Sequence, residues 1–277
     1  MSTKPLFQDK SYLREQQYRT SRNLEARVAL HRDFSTNPYD WQMWVFDQLA
    51  LEPGTAVLEC GCGPGWLWRH NLDRIPAGCA ITLTDLSPGM VAEAQSAVAE
   101  AEAAFAGRPG FHFQTASIED LPFADASFDV VVANHMLYHV PDLPQALREV
   151  RRVLKANGRF FAATNGDSHM RELRELARQF APGLLNTWPQ LAFRLENGRA
   201  LLAATFDTVD LVLYADGLRV TAVAPLLAYL HSMSLAQLIT PEDAAALEQH
   251  LQEMITARGA YHIQKETGLF IAHQGAV

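Results

Sequence analysis

The sequence predicts an α/β protein, a doubly wound and mostly parallel sheet with helices on both faces. Three observations predict it. Short apolar, β-branched runs alternate with helical stretches from residue 55 to residue 165, the rhythm of a parallel sheet. Residues 128–134 read as a continuous apolar run, as in a strand covered on both sides. The first run, Val57-Leu58-Glu59-Cys60, opens directly into Gly61-Cys62-Gly63-Pro64-Gly65. That is a strand entering a tight loop, where glycine permits positive φ and lets a ligand lie on bare backbone.

The elements follow in order. Residues 55–60 form the first strand, 66–75 a helix and 79–85 the second strand. Ser87 is an N-cap with Pro88 at the first helical position, starting a helix that runs to about residue 105. Residues 111–117 alternate Phe111, Phe113, Thr115 as a strand does. After the strand at 128–134, Leu143, Ala146, Leu147, Val150 and Leu154 mark a helix that stops at Gly158, and 159–165 is the fifth strand. Beyond 165 the rhythm changes. Residues 166–200 read as mostly helical with a break at Pro182-Gly183, 206–221 as a strand, about 222–234 and 241–258 as helices, and 261–272 as a closing strand. We read one domain over 1–277: an N-terminal helical cap at 1–48, a core at 50–165, an inserted helical lid at 166–204, and C-terminal strands and helices at 205–277.

Composition narrows the function. Apolar content of 48% and a length of 277 residues allow a sizeable buried core. A net charge of −8 argues against nonspecific nucleic-acid binding. No apolar run approaches the roughly 20 residues that span a bilayer, and the N-terminus has no apolar signal core. The expectation is a cytoplasmic protein with no membrane or nucleic-acid partner. Three cysteines, two of them in the glycine loop, make no disulfide framework, and Cys60-x-Cys62 lacks a second ligand pair, so no metal is expected. Residues 1–32 carry seven Lys/Arg and three acids, which reads as a solvated helix face or a lid over an anionic substrate.

Asp85 ends the second strand, 20 residues beyond Gly65. An acid there is placed to hold the two hydroxyls of a ribose, so the chain is expected to bind an adenosine-type cofactor. Trp66 stands where the dinucleotide fingerprint G-x-G-x-x-G has its third glycine, which argues against a nicotinamide-dependent oxidoreductase. The pattern Glu59-x-Gly61-x-Gly63-x-Gly65 with the later Asp85 instead resembles motif I and the acidic motif of the class I S-adenosylmethionine-dependent methyltransferases. Three further segments resemble that family, of the type 11 branch like the quinone-pathway enzymes. They are Ser117-Ile118-Glu119-Asp120-Leu121-Pro122-Phe123, Asn134-His135-Met136-Leu137-Tyr138-His139 and Leu154-Lys155-Ala156-Asn157-Gly158.

The resemblance implies a Rossmann-like sheet of seven strands with an antiparallel last strand. It implies S-adenosylmethionine as cofactor, S-adenosylhomocysteine as product, and methylation of a small molecule on oxygen, nitrogen or carbon. It places Glu59, Gly61, Cys62, Gly63 and Gly65 at the methionine portion, Asp85 at the ribose, and Leu86, Met90, Ser117 and Ile118 around the adenine. The family's Asp at this adenine position is Ser117 here, a hydroxyl without charge. Asn134 falls at the methionine end, His135 (counted with the cofactor residues) and His139 near the reaction centre, and Tyr138 among the acceptor candidates.

The base candidates are His31, His139, Tyr18 and Glu196. Leu24, Arg27, Val28 and His31 share one helix face, so Arg27 and His31 either pair with a carboxylate in the fold or meet substrate. Tyr39, Trp41, Trp44, Trp188, Phe193 and Tyr214 are candidate aromatic walls for the acceptor. The Arg27/His31 face suggests an anionic, phosphorylated or prenyl-type metabolite. The rivals are the oxidoreductase, a non-catalytic S-adenosylmethionine-binding partner protein, and a different use of the sulfonium. A monomer or homodimer is expected.

Overall fold

In the computed structural model, which describes residues 8–102, 110–180, 191–232 and 240–274, the sheet begins with five parallel strands. These are β1 (Ala56–Cys60), β2 (Ala80–Asp85), β3 (Gly110–Thr115), β4 (Phe128–Asn134) and β5 (Leu154–Asn165). Next in the chain come β6 (Thr208–Tyr214), β7 (Gly217–Val220), β8 (Tyr261–Gln264) and β9 (Thr267–His273). The seven-stranded sheet has the order β3-β2-β1-β4-β5-β9-β6, and β9 runs antiparallel to both of its neighbours. β7 and β8 form a separate antiparallel pair.

The helices are α1 (Lys10–Tyr12), α2 (Arg22–Phe34), α3 (Trp41–Leu49), α4 (Trp66–Arg69), α5 (Pro88–Glu102), α6 (Leu143–Val153), α7 (Arg171–Phe180), α8 (Leu195–Leu202), α9 (Val223–His231) and α10 (Pro241–Arg258). Caps explain several starts. The Asp40 side chain accepts from the amides of Gln42 and Met43, Asp142 from that of Gln145, and Thr240 from that of Asp243. The Ser87 hydroxyl accepts from the Met90 amide at 3.4 Å.

The period-2 pattern of the strands divides the core. Leu58, Cys60, Val131, Ala133, Phe160 and Ala162 face one layer with α6, while Val57, Ile81, Leu83, Val130, Val132 and Phe161 face the other with α3. A third cluster joins Leu30 of α2 to Leu173 of α7, Leu226 of α9, Leu251 of α10 and Ile263 of β8. This accessory layer stands over the carboxyl end of the sheet. Among the described residues no helix is long and apolar enough to cross a membrane.

Four expected elements differ from the structure. The helix over 66–75 stops at Arg69 and resumes as a short 3-10 turn at Leu72–Arg74. The Asn71 side chain donates to the Leu67 carbonyl at 2.7 Å, taking the acceptor that another helical turn would use. The helix expected to reach Gly158 ends at Val153, because Leu154 already pairs with Phe128 in the sheet. The strands over 206–221 and 261–272 are each broken, at Ala215-Asp216 and Lys265-Glu266, and their halves join different sheets. The break at Pro182-Gly183 lies outside the described residues.

Candidate active site

The strand order reverses between β1 and β4, and open α/β sheets bind ligands beyond the carboxyl ends of their strands at such a point. A cavity of about 760 Å³ opens there. One end is built from the β1 loop and the tips of β2 and β4. Gly61 has a φ of 69°, and a Cβ on it would press to 2.8 Å from the Met136 side chain, so the loop needs glycine for both reasons. Asp85 accepts from the Ser87 amide at 2.8 Å and from the Gly63 amide at 3.0 Å. Burial pushes the Asp85 carboxyl up, opposed by those amides.

Glu59 is 2% exposed and accepts from the Trp68 indole N–H at 2.7 Å. Burial raises it to about 8, although the indole bond pulls the other way. Ser117 meets Lys10, whose ammonium donates to its hydroxyl at 3.3 Å and also pairs with Glu119. Ile118 is buried beside it.

The segment before α2 and α2 itself form the opposite wall. A Cβ on Gly89 would run into the Arg19 carbonyl oxygen, and one on Gly63 would touch Leu24 at 3.7 Å. Ser21 donates its amide to Glu93 at 3.1 Å. The Tyr18 hydroxyl and His139 Nε2 lie 3.0 Å apart. Burial raises the Tyr18 hydroxyl, opposed by the neighbouring Arg27.

Deeper in, Trp41 is the hub. Its ring lies 5.1 Å from those of His135 and Tyr214, and its N–H donates to Asn134 Oδ1 at 3.3 Å. His135 has a φ of 58°, a strained conformation for a non-glycine residue at the tip of β4. Burial and the Lys265 charge lower it to about 4. His31 stacks with His169 at 6.2 Å, and its Nδ1 is buried without a partner. Burial, Lys265 and His135 lower His31 to about 3, against a smaller upward pull from Asp216.

His169 Nδ1 accepts from the Glu266 amide at 3.2 Å, which leaves the ring hydrogen on Nε2. Lys265 pairs with the buried Asp216, whose other oxygen accepts from the Ser35 hydroxyl at 2.8 Å and the Asn37 amide at 3.0 Å. Burial favours protonation of Asp216, but Lys265 and these donors outweigh it and hold the carboxyl below its usual range.

The cavity gathers Glu59, Gly61, Cys62, Gly63, Asp85, Leu86, Met90, Ser117, Ile118, Asn134 and His135 from the expected cofactor residues. It also gathers Tyr18, Arg27, His31, Trp41, Tyr138, His139 and Tyr214. Other candidates fall elsewhere. Gly65 packs against Ala94 at the start of α4. Glu196 accepts from the Asp167 amide at 2.7 Å, away from the cavity. Tyr39 is exposed and bonds to Asp47, and only its carbonyl touches Tyr214. Trp44 packs behind Trp41, and Phe193 is fully buried against Phe270. Trp188 lies outside the described residues. Sequence reasoning missed His169, Lys265, Asp216 and Tyr229. Lys265 heads a Lys-Glu-Thr-Gly segment whose polarity inside an apolar strand pattern was the available signal.

Comparison with known proteins agrees with this geometry. Residues 58–162 match the family model described as "Methyltransferase domain". The chain is 34% identical over 156 residues to a malonyl-[acyl-carrier protein] O-methyltransferase of Pseudescherichia vulneris, covering 56% of this chain and 53% of that protein. It is 34% identical over 119 residues to a ubiquinone/menaquinone biosynthesis C-methyltransferase of Geotalea daltonii, covering 43% and 49%. The chain thus spans about half the length of the curated relatives it matches. Among solved structures, phosphoethanolamine N-methyltransferase 2 of Haemonchus contortus, in complex with phosphomonomethylethanolamine and S-adenosylhomocysteine, shares the fold. Its TM-score is 0.58 at 17% identity, over 98% of this chain and 60% of that one. With its sheet order and glycine loop, the chain carries a match to the methyltransferase domain over residues 58–162 and is similar to the class I S-adenosylmethionine-dependent methyltransferases.

Proposed function

We propose that this protein transfers a methyl group from S-adenosylmethionine to a small-molecule acceptor. The observation that carries the reading is one continuous cavity. It joins the bare glycine loop and the Asp85 carboxylate at one end to an aromatic and imidazole-lined chamber at the other. When bound, the cofactor supplies a methyl group already activated on a sulfonium, so the chain's task is alignment and exclusion of water. In this reading Asp85 accepts from the ribose hydroxyls, and Gly61 and Gly63 give the methionine portion room against the backbone. Ile118 walls the adenine. Ser117 accepts from it through a hydroxyl that Lys10 already holds.

Trp41, Tyr138 and Tyr214 orient the acceptor through their ring faces. For an acceptor that must lose a proton, His139 is the receiving group and Tyr18 its partner at 3.0 Å. Such help contributes about 10²–10⁴ in rate. We read the described residues of the expected 1–48 cap as covering the cofactor end and, from the expected lid, His169 as part of the chamber's wall, within one domain.

Calorimetric titration with S-adenosylhomocysteine and with NADH tests the cofactor. Binding of the former alone is expected, whereas binding of NADH alone overturns the reading. A mass increment of one methyl on any member of a small-acceptor library separates an enzyme from a non-catalytic partner.

A further inference from the structure

Among the described residues lining the cavity, two cations, Arg27 and Lys265, lie beside the aromatic and imidazole side chains and are treated differently. Lys265 is paired with the buried Asp216. Arg27, half-buried in the wall, forms no ion pair with any carboxylate among the described residues. Its Nε donates to the Ser232 hydroxyl at 3.1 Å and its Nη2 to the Ser232 carbonyl at 2.8 Å, at the C-terminal end of α9. These bonds fix the guanidinium plane but bring only neutral oxygens to its charge.

Tyr18, Tyr138 and Tyr229 lie close enough to feel that charge, and all three line the same cavity. One turn along α2, His31 faces Tyr229 edge-on at 6.1 Å, and its buried Nδ1 has no partner. A half-buried charge without a counter-ion is unfavourable until an anion meets it. A planar guanidinium flanked by hydroxyl donors suits the oxygens of a carboxylate or a phosphate.

We propose that the acceptor carries an anionic oxygen group, a carboxylate or a phosphate, seated on Arg27 among the hydroxyls of Tyr18, Tyr138 and Tyr229. The inference rests on the methyl-transfer reading of the same cavity, and it names the substrate class. The anion is the anchor at this wall. Lys265 cannot take this role while Asp216 neutralises it.

The test uses the full chain saturated with S-adenosylhomocysteine, whose binding is measured first. Phenylacetate, phenyl phosphate and uncharged phenylethanol are then titrated by calorimetry. At least one anion is expected to bind about tenfold or more tighter than phenylethanol, and which of the two does so separates carboxylate from phosphate. Arg27→Gln should abolish that preference, while Arg27→Lys should keep part of it, with an unchanged circular dichroism spectrum and retained S-adenosylhomocysteine binding in both as the control for folding. Equal binding of all three probes, or a preference that survives Arg27→Gln, overturns the proposal. Failure of S-adenosylhomocysteine to bind wild type would instead sink the cofactor reading.

Discussion

Replacing His31 by Gln should change how stability depends on pH. In the folded chain burial lowers His31 to about 3, from an ordinary value of 6.5. At about pH 7.5 the imidazole is neutral in both folded and unfolded chains, so protonation contributes nothing there. As pH falls below 6.5 the unfolded chain takes up a proton that the folded chain refuses. The penalty grows by about 1.4 kcal/mol per pH unit until pH approaches the folded value. By about pH 5, roughly 1.5 units below the unfolded value, it reaches about 2 kcal/mol.

Glu59 acts in the opposite direction. Its raised folded value stabilises the chain as pH falls from about 8 towards 4.5. That contribution, and those of His135 and His169, are shared by wild type and His31→Gln and cancel in the difference. Urea denaturation of both proteins at about pH 7.5 and about pH 5 is the assay. Wild type should lose about 2 kcal/mol relative to the variant across that interval. Parallel pH profiles would falsify the placement of His31 as a buried neutral imidazole.

Three other substitutions have definite outcomes. Asp85→Asn removes a charged acceptor at the tip of β2, and S-adenosylhomocysteine should bind roughly tenfold or more weakly by calorimetry. Trp68→Phe leaves the buried Glu59 without its indole donor. It should cost about 1–3 kcal/mol in urea titrations, and equal stability of variant and wild type would contradict the bond. Phe193→Ala should lower stability by about 3–5 kcal/mol with little change in acceptor KM, because the ring lies in the core against Phe270. A KM effect without a stability effect would return Phe193 to the chamber wall.

Much of the cofactor end was legible because its chemistry is local. Glycines that need positive φ and an acid at a strand tip keep their meaning wherever the chain goes. The acceptor chamber was less so. Apolar residues resume soon after Asp216 and after Lys265, so each stretch reads as one strand despite its polar interruption. Nothing nearby in sequence announces that the two residues pair. The breaks exist because that buried pair, with Ser35 and Asn37 around it, turns each chain segment from one sheet into another. Glu196, Trp44 and Phe193 stand outside the cavity lining for a related reason: a residue type suited to a site is also suited to a capping bond or a core, and only packing decides.

The N-terminal wall has a thermodynamic consequence. Arg19 rests on Gly89, Leu24 lies over Gly63, Tyr18 meets His139 and Lys10 reaches Glu119, so one short stretch of chain touches both ends of the cavity. An affinity measured for either ligand therefore includes the free energy of seating that stretch. Whichever ligand arrives first bears the ordering, and the second binds to a wall already in place. By linkage the two ligands should strengthen each other's binding by the same factor, in addition to any direct contact between them. Synergy beyond that contact would then measure the docking of residues 8–34.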